Sequence, residues 1–264
     1  MLQVLSLGAG VQSTTLALMA AHDEIGPMPD CAIFADTGWE PAAVYDHLAW
    51  LRGDNVLPFP VVIVTNGNIR TDLLANAAGK TAGKRSATPP LFVLGKDGRE
   101  AMLSRQCTDA YKLDPILKMV RKMIGLVPRQ RAPKTPAVEM WIGISADEAH
   151  RAKPSQIAWI ERRYPLLDLR MRRWDCLQWL RRNGYPDPPK SSCVGCPYHS
   201  AEQWRALAPD EMADAIAVDV LIRDGLRGTH GPLYLHRSLK PLSTVNLEAE
   251  PDLFGNECEG MCGV

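Results

Sequence analysis

Three cysteines have surroundings that favour metal binding. Cys193 and Cys196 form a C-x-x-C pattern in KSSCVGCPYH, where glycine and Pro197 indicate a loop that lets two thiolates reach one metal. Cys107 lies just before a predicted helix, and thiolates in threes and fours bind zinc or iron–sulfur clusters. With His199, these cysteines would make a Cys₃His zinc site. The alternative is that the C-x-x-C holds two incidental thiols.

The other four cysteines divide between the core and the tail. The total of seven is an odd number for a disulfide framework and favours metal binding or catalysis in a reducing compartment. Cys31 and Cys176 fall in a predicted strand and a predicted helix, so we expect both to be buried. Cys258 and Cys262 lie in the tail NECEGMCGV, where two thiols suit a mobile nucleophile. A frayed terminus without a role is the alternative.

The segment SLGAGVQST joins a predicted strand to a predicted helix and is rich in small residues. Backbone N–H groups at such a junction point into the crevice where α/β sheets bind ligands. The segment lacks the lysine of a P-loop and the third glycine of a dinucleotide fingerprint. A simple tight turn is therefore the alternative to an anion site. The residues predicted to contact a nucleotide here are Ser6, Gly8, Ala9, Gly10, Gln12, Ser13 and Thr14.

A second polar segment, FADTGWEP, also follows a predicted strand. Asp36, Thr37 and Gly38 are placed to meet ribose hydroxyls or a phosphate. Asp36 or Thr37 would alternatively cap the helix that begins at Glu40 and Pro41.

Short β-rich runs alternate with helical periods in the first half of the chain, which predicts a parallel sheet with helices on both faces. The run PVVIVT, residues 60–65, is continuously apolar and predicts a strand buried on both faces. In DPILKMVRKMIG, Asp114 is the predicted N-cap, Pro115 the first helical residue and Gly125 the end. The predicted strands are QVLSL, CAIFAD, PVVIVT and VEMWIGIS.

Two stretches interrupt this alternation. Residues 76–106 are rich in Gly, Lys and Pro and predict a long mobile loop, and residues 125–137 predict a surface connector. We expect an α/β nucleotide-binding and cysteine-cluster domain over residues 1–200. A helical extension and cysteine-bearing tail would follow over 201–264, within one structural unit.

Charge gives little direction for the protein as a whole. The 30 Lys and Arg balance 30 Asp and Glu, which implies no overall field toward nucleic acid or membrane. Residues 151–190 nevertheless carry 10 basic and 4 acidic side chains. No apolar run approaches the length of a membrane span and no secretory signal is visible, so a cytoplasmic location is expected.

Taken in order, six segments resemble the phosphoadenosine phosphosulfate (PAPS) and adenosine phosphosulfate (APS) reductase family. This family belongs to the PP-loop, or adenine-nucleotide α-hydrolase-like, superfamily. GISADEAHR resembles a reductase motif with Ser145 in place of an arginine, and it retains Gly143, Glu148 and Arg151. The other matching segments are GAGVQS, FADTGWEP, YPLLDLRMRRWDCLQWLRRNGYPDPP, SSCVGCP and the tail ECEGMCGV.

The resemblance implies a Rossmann-like five-stranded parallel sheet, a bound adenine nucleotide and sulfur chemistry. Cluster-bearing members hold a [4Fe–4S] cluster with a Cys-Cys pair and a C-x-x-C. Here the pair reads Gln106-Cys107, so Cys107, Cys193 and Cys196 remain. Three-cysteine clusters with an open iron serve sulfide-carrying thiolation enzymes of the same superfamily. A tail cysteine or His199 is the alternative fourth ligand.

In ATP-using relatives the PP-loop carries a lysine and an aspartate, but here those positions read Val11 and Gln12. The absence favours a preactivated sulfonucleotide, PAPS or APS, over ATP. Arginine and lysine suit its phosphate and sulfate groups. The candidate cations are Lys84, Arg85, Arg105, Lys112 and Arg151.

In the reductase hypothesis a tail thiolate attacks the nucleotide's sulfur. Cys258, directly after Glu257, is the first candidate. A thioredoxin-like dithiol or Cys262 would release the product. The competing hypothesis is a cluster-dependent sulfurtransferase that thiolates tRNA or DNA with ATP and contacts it through a basic helix over residues 162–182. A zinc-containing, non-catalytic nucleic-acid-binding module is the third.

Overall fold

A five-stranded parallel sheet forms the centre of the computed structural model, which describes residues 1–80, 87–95, 98–226, 228–229 and 231–248. The strand order is β3-β2-β1-β6-β7 and each pairing is parallel, as the sequence predicts. The strands are β1 (Leu2–Leu7), β2 (Cys31–Asp36), β3 (Val61–Thr65), β6 (Val138–Ile142) and β7 (Ile160–Arg163).

Helices cover both faces of this sheet, which confirms the predicted α/β class. On one face Leu5 packs with Leu16 and Leu48, and on the other Val4 packs with Val120. Successive strand residues point to opposite faces, so one strand supplies both cores. The helices are α1 (Val11–Ala21), α2 (Ala42–Leu51), α3 (Ile69–Ala77), α4 (Asp114–Met123), α5 (Pro165–Asp168), α6 (Arg173–Arg182), α7 (Ala201–Arg205) and α8 (Pro209–Leu221).

The strand order reverses between β1 and β6. The segments that follow these two strands therefore meet at the topological switch point, where open α/β sheets bind ligands. These segments are residues 8–10 and 143–151. A 3₁₀ helix, Ala146–Arg151, forms most of the second.

The prediction that β3 is buried on both faces is wrong. β3 is an edge strand; Val64 is buried, but Ile63 is 40% exposed. A run of β-branched residues does not distinguish a central strand from an edge strand, because both favour such side chains.

The stretch 76–106, predicted as a long loop, contains two strands of a small antiparallel sheet. β4 (Phe92–Leu94) pairs with β5 (Glu100–Met102) and with β8 (Leu233–Tyr234). Strands of two or three residues leave too short a pattern to recognise in sequence.

A third core cluster joins the regions before and after residue 200. Trp39 and Leu73 pack there with Val218 of α8 and with Ile222, which follows that helix. Asp219 of α8 is 1% exposed and accepts hydrogen bonds from the backbone N–H groups of residues 235 and 242. The C-terminal segment up to residue 248 is therefore packed onto the sheet domain.

The predicted basic helix over residues 162–182 does not exist as one element. Its first residues belong to β7, Pro165 begins the short α5, and α6 starts only at Arg173. A residue before proline is disfavoured in the α region, and Tyr164 has an extended φ of −125°.

The prediction of Asp114 as an N-cap is also wrong. A π-helical turn, Thr108–Leu113, precedes α4 without a break, and Leu113 has helical backbone angles. Gly125 follows α4 with a φ of +78°, in agreement with its predicted role as the end of the helix. Among the helices described, none combines the length and apolar character needed to cross a membrane.

Candidate functional site

Three cysteines line one pocket beside the carboxyl end of β2. Cys107, Cys193 and Cys196 come from two distant parts of the chain and line the same pocket. The structure thus brings together the three predicted cysteine ligands. Other lining residues include Thr37, Trp39, Arg105, Thr108, Lys112 and Ser191.

The C-x-x-C loop is held against the segment that follows β2. The backbone N–H of Val194 donates to the carbonyl of Trp39 across 2.8 Å, and that of Cys196 donates to the carbonyl of Cys193 across 3.0 Å. A Cβ on Gly195 would lie 2.1 Å from Cη2 of Trp39. The glycine therefore permits the close packing that forms this wall of the pocket.

Cys193 lies in a polar contact network with Thr37 and Glu40. Its Sγ is 3.2 Å from Oγ1 of Thr37 and 3.7 Å from Oε1 of Glu40, and the Thr37 hydroxyl donates to the same carboxylate oxygen across 2.8 Å. Burial raises the pKa of the Cys193 thiol and the Glu40 carboxylate raises it further, while Lys112 lowers it. A thiol of this kind is a poor free nucleophile and needs a strong cation to lose its proton.

Two of the predicted cations belong to this pocket. Arg105 and Lys112 line it, and the Arg105 guanidinium lies 5.4 Å from the ring centroid of Tyr198. Arg151 lies instead at the switch point, where it pairs with Glu148. Lys84 and Arg85 lie outside the described residues.

His199 is placed differently from the three cysteines. Its Nε2 lies 2.9 Å from the Ser192 hydroxyl, and its ring packs edge-on against Trp204 at 4.6 Å. Burial lowers the pKa of His199 to about 3, although a hydrogen bond to the backbone of Cys193 opposes the shift. His199 is absent from the described residues that line the pocket.

The side chains as placed do not form a preassembled metal site. Within the described ranges, no group of three or more His, Cys, Asp or Glu side chains is arranged to hold a metal ion. The pocket brings three thiols together, and metal binding at it stays a prediction.

The hydroxyls of the predicted nucleotide loop are engaged within the protein. The backbone N–H of Gly8 donates to Oγ of Ser13, and the Thr14 hydroxyl lies 2.9 Å from Nε2 of His47. Ala9 has a φ of +56°, a left-handed conformation that shapes the tight turn. Ser13 and Thr14 are both buried, as are Ser6 and Ala9.

Gln12 connects the loop to its surroundings. Its amide nitrogen donates to Oγ of Ser145 across 3.3 Å and to Oε2 of Glu148 across 3.4 Å, while Arg173 donates to its side-chain oxygen. A Cβ on Gly143 would lie 2.9 Å from the backbone nitrogen of Ser13. The two predicted nucleotide segments are therefore in contact.

The FADTG segment forms an internal network. Asp36 accepts hydrogen bonds from the backbone N–H of Gly38 across 2.7 Å and from the Tyr45 hydroxyl across 2.9 Å. Burial and Asp36 together raise the pKa of Tyr45. Neither Asp36 nor Thr37 caps α2, since the helix follows Pro41.

Ser191 links the loop to the cysteine pocket. A Cβ on Gly10 would lie 2.7 Å from Oγ of Ser191, and Ser191 also lines the pocket. The glycine loop and the cysteines therefore occupy adjacent positions on one edge of the sheet. The predicted catalytic residues Glu257, Cys258 and Cys262 lie outside the described residues.

Sequence reasoning missed several polar residues around the cysteines. Glu40 was interpreted only as the start of a helix, and Thr108 and Ser191 received no role. The adjacency of Thr108 to Cys107 and of Ser191 to the C-x-x-C was the available signal. Glu40 left no such signal, because its contact with Cys193 spans 153 residues.

The fold defines the class of the protein as a parallel α/β protein of Rossmann-like topology. No protein-family model and no curated protein matches the chain. Among solved structures, the chain is similar to the crystal structure of phosphoadenylyl-sulfate (PAPS) reductase from Candida auris in complex with phosphate. The identity is 10%, the match covers 70% of this chain and 74% of that chain, and the TM-score is 0.39. This likeness is too distant to carry a conclusion about activity.

Proposed function

We propose that this protein is an iron–sulfur enzyme that binds an adenine nucleotide and reduces a sulfonucleotide with thiols. The observation that carries the proposal is the convergence of Cys107, Cys193 and Cys196 on one pocket beside Arg105 and Lys112. Thiols and cations together suit a metal centre next to an anionic substrate.

Three cysteines of the pocket would hold the cluster. Cys107, Cys193 and Cys196 would each bind one iron, and the cluster would supply a Lewis-acidic iron next to the substrate's sulfur group.

The nucleotide would lie along the switch point, with its anionic end toward the pocket. Ser191 approaches Gly10 and also lines the pocket, so one extended ligand would span both. Arg105 and Lys112 would bind the sulfate and phosphate oxygens.

The nucleophile would be Cys258. Its thiolate attacks the sulfur of the sulfonucleotide, an S–S bond forms, and the S–O bond breaks with its electron pair leaving on the nucleoside phosphate. A dithiol such as thioredoxin then attacks the cysteine sulfur. Sulfite leaves, the Cys258 thiol is restored and the dithiol becomes a disulfide.

The first experiment is anaerobic purification followed by iron, sulfide and zinc analysis. We expect about four irons and four sulfides per chain in the full-length protein. Cys193→Ala and Cys196→Ala should lose the iron. Cys31→Ala should keep it, because Cys31 is buried in β2 and does not line the pocket. A colourless protein with one zinc per chain contradicts the cluster.

The second experiment measures sulfite release from PAPS and APS with a dithiol reductant. We expect activity in the full-length protein and its loss in Cys258→Ala, while Cys176→Ala retains it. Retained sulfite release in Cys258→Ala contradicts the assignment of the nucleophile.

A second candidate function is sulfur transfer to tRNA or DNA with ATP. Trp174 is 61% exposed at the start of α6 beside the exposed Arg172, and such a pair suits stacking on bases. Sulfur incorporation into RNA or DNA that requires ATP and sulfide, without sulfite release, would replace the reductase proposal.

A further inference from the structure

A buried hydroxyl at the cysteine pocket has no hydrogen-bond partner. Thr108 is 4% exposed and lines the pocket directly after Cys107, and its Oγ1 has no partner in the described part of the chain. A hydroxyl that loses its water without gaining a new hydrogen bond is costly to bury. Because most buried polar groups are satisfied, such an exception at a pocket indicates a bound ligand.

The charged side chains that line this pocket are positive. Arg105 and Lys112 belong to its described lining, which includes no aspartate or glutamate. Much of the remaining wall is apolar, with Trp39, Ile69 and Pro89 among its residues. Apolar walls strengthen electrostatic attraction because they exclude water. The pocket therefore suits an anion that accepts hydrogen bonds.

Two other hydroxyls of the pocket are already engaged within the protein. Oγ1 of Thr37 donates to Oε1 of Glu40 across 2.8 Å, and Oγ of Ser192 lies 2.9 Å from Nε2 of His199. The Thr108 hydroxyl differs from both, since no group of the described residues bonds to it. It is therefore available to donate to a ligand.

One helical turn carries both Thr108 and Lys112. The two residues belong to the π-helical turn Thr108–Leu113, where residues four apart lie on the same side. Tyr111 of this turn donates to Oδ2 of Asp72 across 2.6 Å, which fixes the turn to α3. The hydroxyl and the ammonium group thus belong to one wall of the pocket.

We propose that Thr108 is a substrate-binding residue whose hydroxyl donates a hydrogen bond to a sulfo oxygen of a sulfonucleotide. Arg105 and Lys112 supply charge for the same anion, and Thr108 supplies a directed donor. We assign it to the sulfo group rather than to the nucleoside phosphate because Thr108 directly follows Cys107 at the pocket where the thiols meet. The inference rests on the sulfonucleotide of the proposed function and requires no metal.

The experiment compares nucleotides with and without the sulfo group by isothermal titration calorimetry. The parent protein is the full-length chain with Cys258→Ala, so that the nucleotide is not consumed. PAPS is paired with adenosine 3′,5′-bisphosphate, and APS with adenosine 5′-phosphate. We expect Thr108→Val to weaken binding of the preferred sulfonucleotide about ten-fold or more, and to leave binding of its sulfo-free partner within about two-fold.

Two further variants serve as controls. Thr108→Ser keeps the hydroxyl and should retain most of the affinity. Thr15→Val removes a buried hydroxyl that donates to the carbonyl of Val11 across 2.8 Å, and it should bind as the parent does because Thr15 does not line the pocket.

Chemical denaturation of the ligand-free protein provides a second readout. Thr108→Val should unfold at the same or a higher denaturant concentration than the parent, because it removes a hydroxyl that has no partner. A purely structural hydroxyl would give the opposite result.

The outcomes separate this inference from the proposed function. Unchanged affinity in Thr108→Val, equal loss for both members of a nucleotide pair, or a clear loss of stability overturns the assignment of Thr108. Sulfonucleotide binding that depends on Thr108, without sulfite release by the unmodified protein, supports the assignment and overturns the reductase function. Failure of the parent to bind either sulfonucleotide overturns both.

Discussion

The guanidinium of Arg173 donates to the side-chain oxygen of Gln12 across 3.1 Å, although the two residues are 161 positions apart. Gln12 is 1% exposed, and its amide also donates to Ser145 and Glu148. The loop thus has no charge of its own at this position, but an arginine from α6 reaches it. A neutral side chain that both donates and accepts connects α1, the segment that follows β6, and α6 at the switch point.

Replacement of Gln12 by leucine should lower the free energy of unfolding by about 1–3 kcal/mol, because it leaves buried polar partners unsatisfied. Chemical denaturation measures the change. Gln178→Leu, at a half-buried position on α6, is the control and should change stability by less than about 0.5 kcal/mol. A double-mutant cycle with Arg173→Met should show a coupling of about 0.5–3 kcal/mol. Additive effects would contradict the interaction.

Gly195→Ala should destabilise the protein by about 1–3 kcal/mol, because the added methyl group collides with the Trp39 ring. Gly26→Ala is the matched control, since a Cβ at Gly26 meets nothing within 4 Å. Equal stability of the two variants in thermal unfolding would show that the loop and Trp39 are not packed as described.

His47 should make the protein sensitive to mild acid. Burial lowers its pKa to about 4, whereas the unfolded chain binds the proton near the ordinary value of about 6.5. The contribution is therefore present above pH 6.5 and is lost as the pH falls to about 4, with a total of up to about 3 kcal/mol. His47→Gln should flatten this part of the stability profile measured by denaturation at each pH. An unchanged slope in that variant would contradict a neutral, buried His47.

Asp214 holds Trp39 and Arg70 together at the third core cluster. It accepts a hydrogen bond from Nε1 of Trp39 across 2.8 Å and two from Arg70. Burial alone would raise the pKa of Asp214, but the hydrogen bonds from Arg70 and Trp39 outweigh it and the net pKa is lowered. This contribution is present above the ordinary aspartate pKa of about 3.9 and is lost below it.

Asp214→Asn should lower the free energy of unfolding by about 1–2 kcal/mol at pH 7, since it removes the charge from a partly exposed ion pair. Asp224→Asn, at an exposed position after α8, is the control. If both variants unfold at the same denaturant concentration, the ion pair with Arg70 contributes nothing measurable.

The alternation of strands and helices was readable because each element carries its own pattern. β2 spans the predicted run CAIFAD, and Cys31 and Cys176 are buried as their neighbours indicated. The role of Gly125 was also local, because a glycine after a helix adopts a positive φ at little cost. Three features could not be predicted from local pattern: the exposure of β3, the division of residues 162–182 into several elements, and the small antiparallel sheet. Each depends on which segments of the chain lie next to one another.

The sequence by itself determined that this is a parallel α/β protein and where its glycine loop falls. It also distinguished the buried Cys31 and Cys176 from the candidate ligands Cys107, Cys193 and Cys196. Hydrophobic periodicity and turn residues act over a few positions, so a single chain displays them directly. Only the tertiary structure decided that Cys107 joins the C-x-x-C, that Arg173 reaches Gln12 and that Glu40 contacts Cys193. Those contacts join residues more than 80 positions apart, and they exist because packing brings the strand ends to one edge of the sheet.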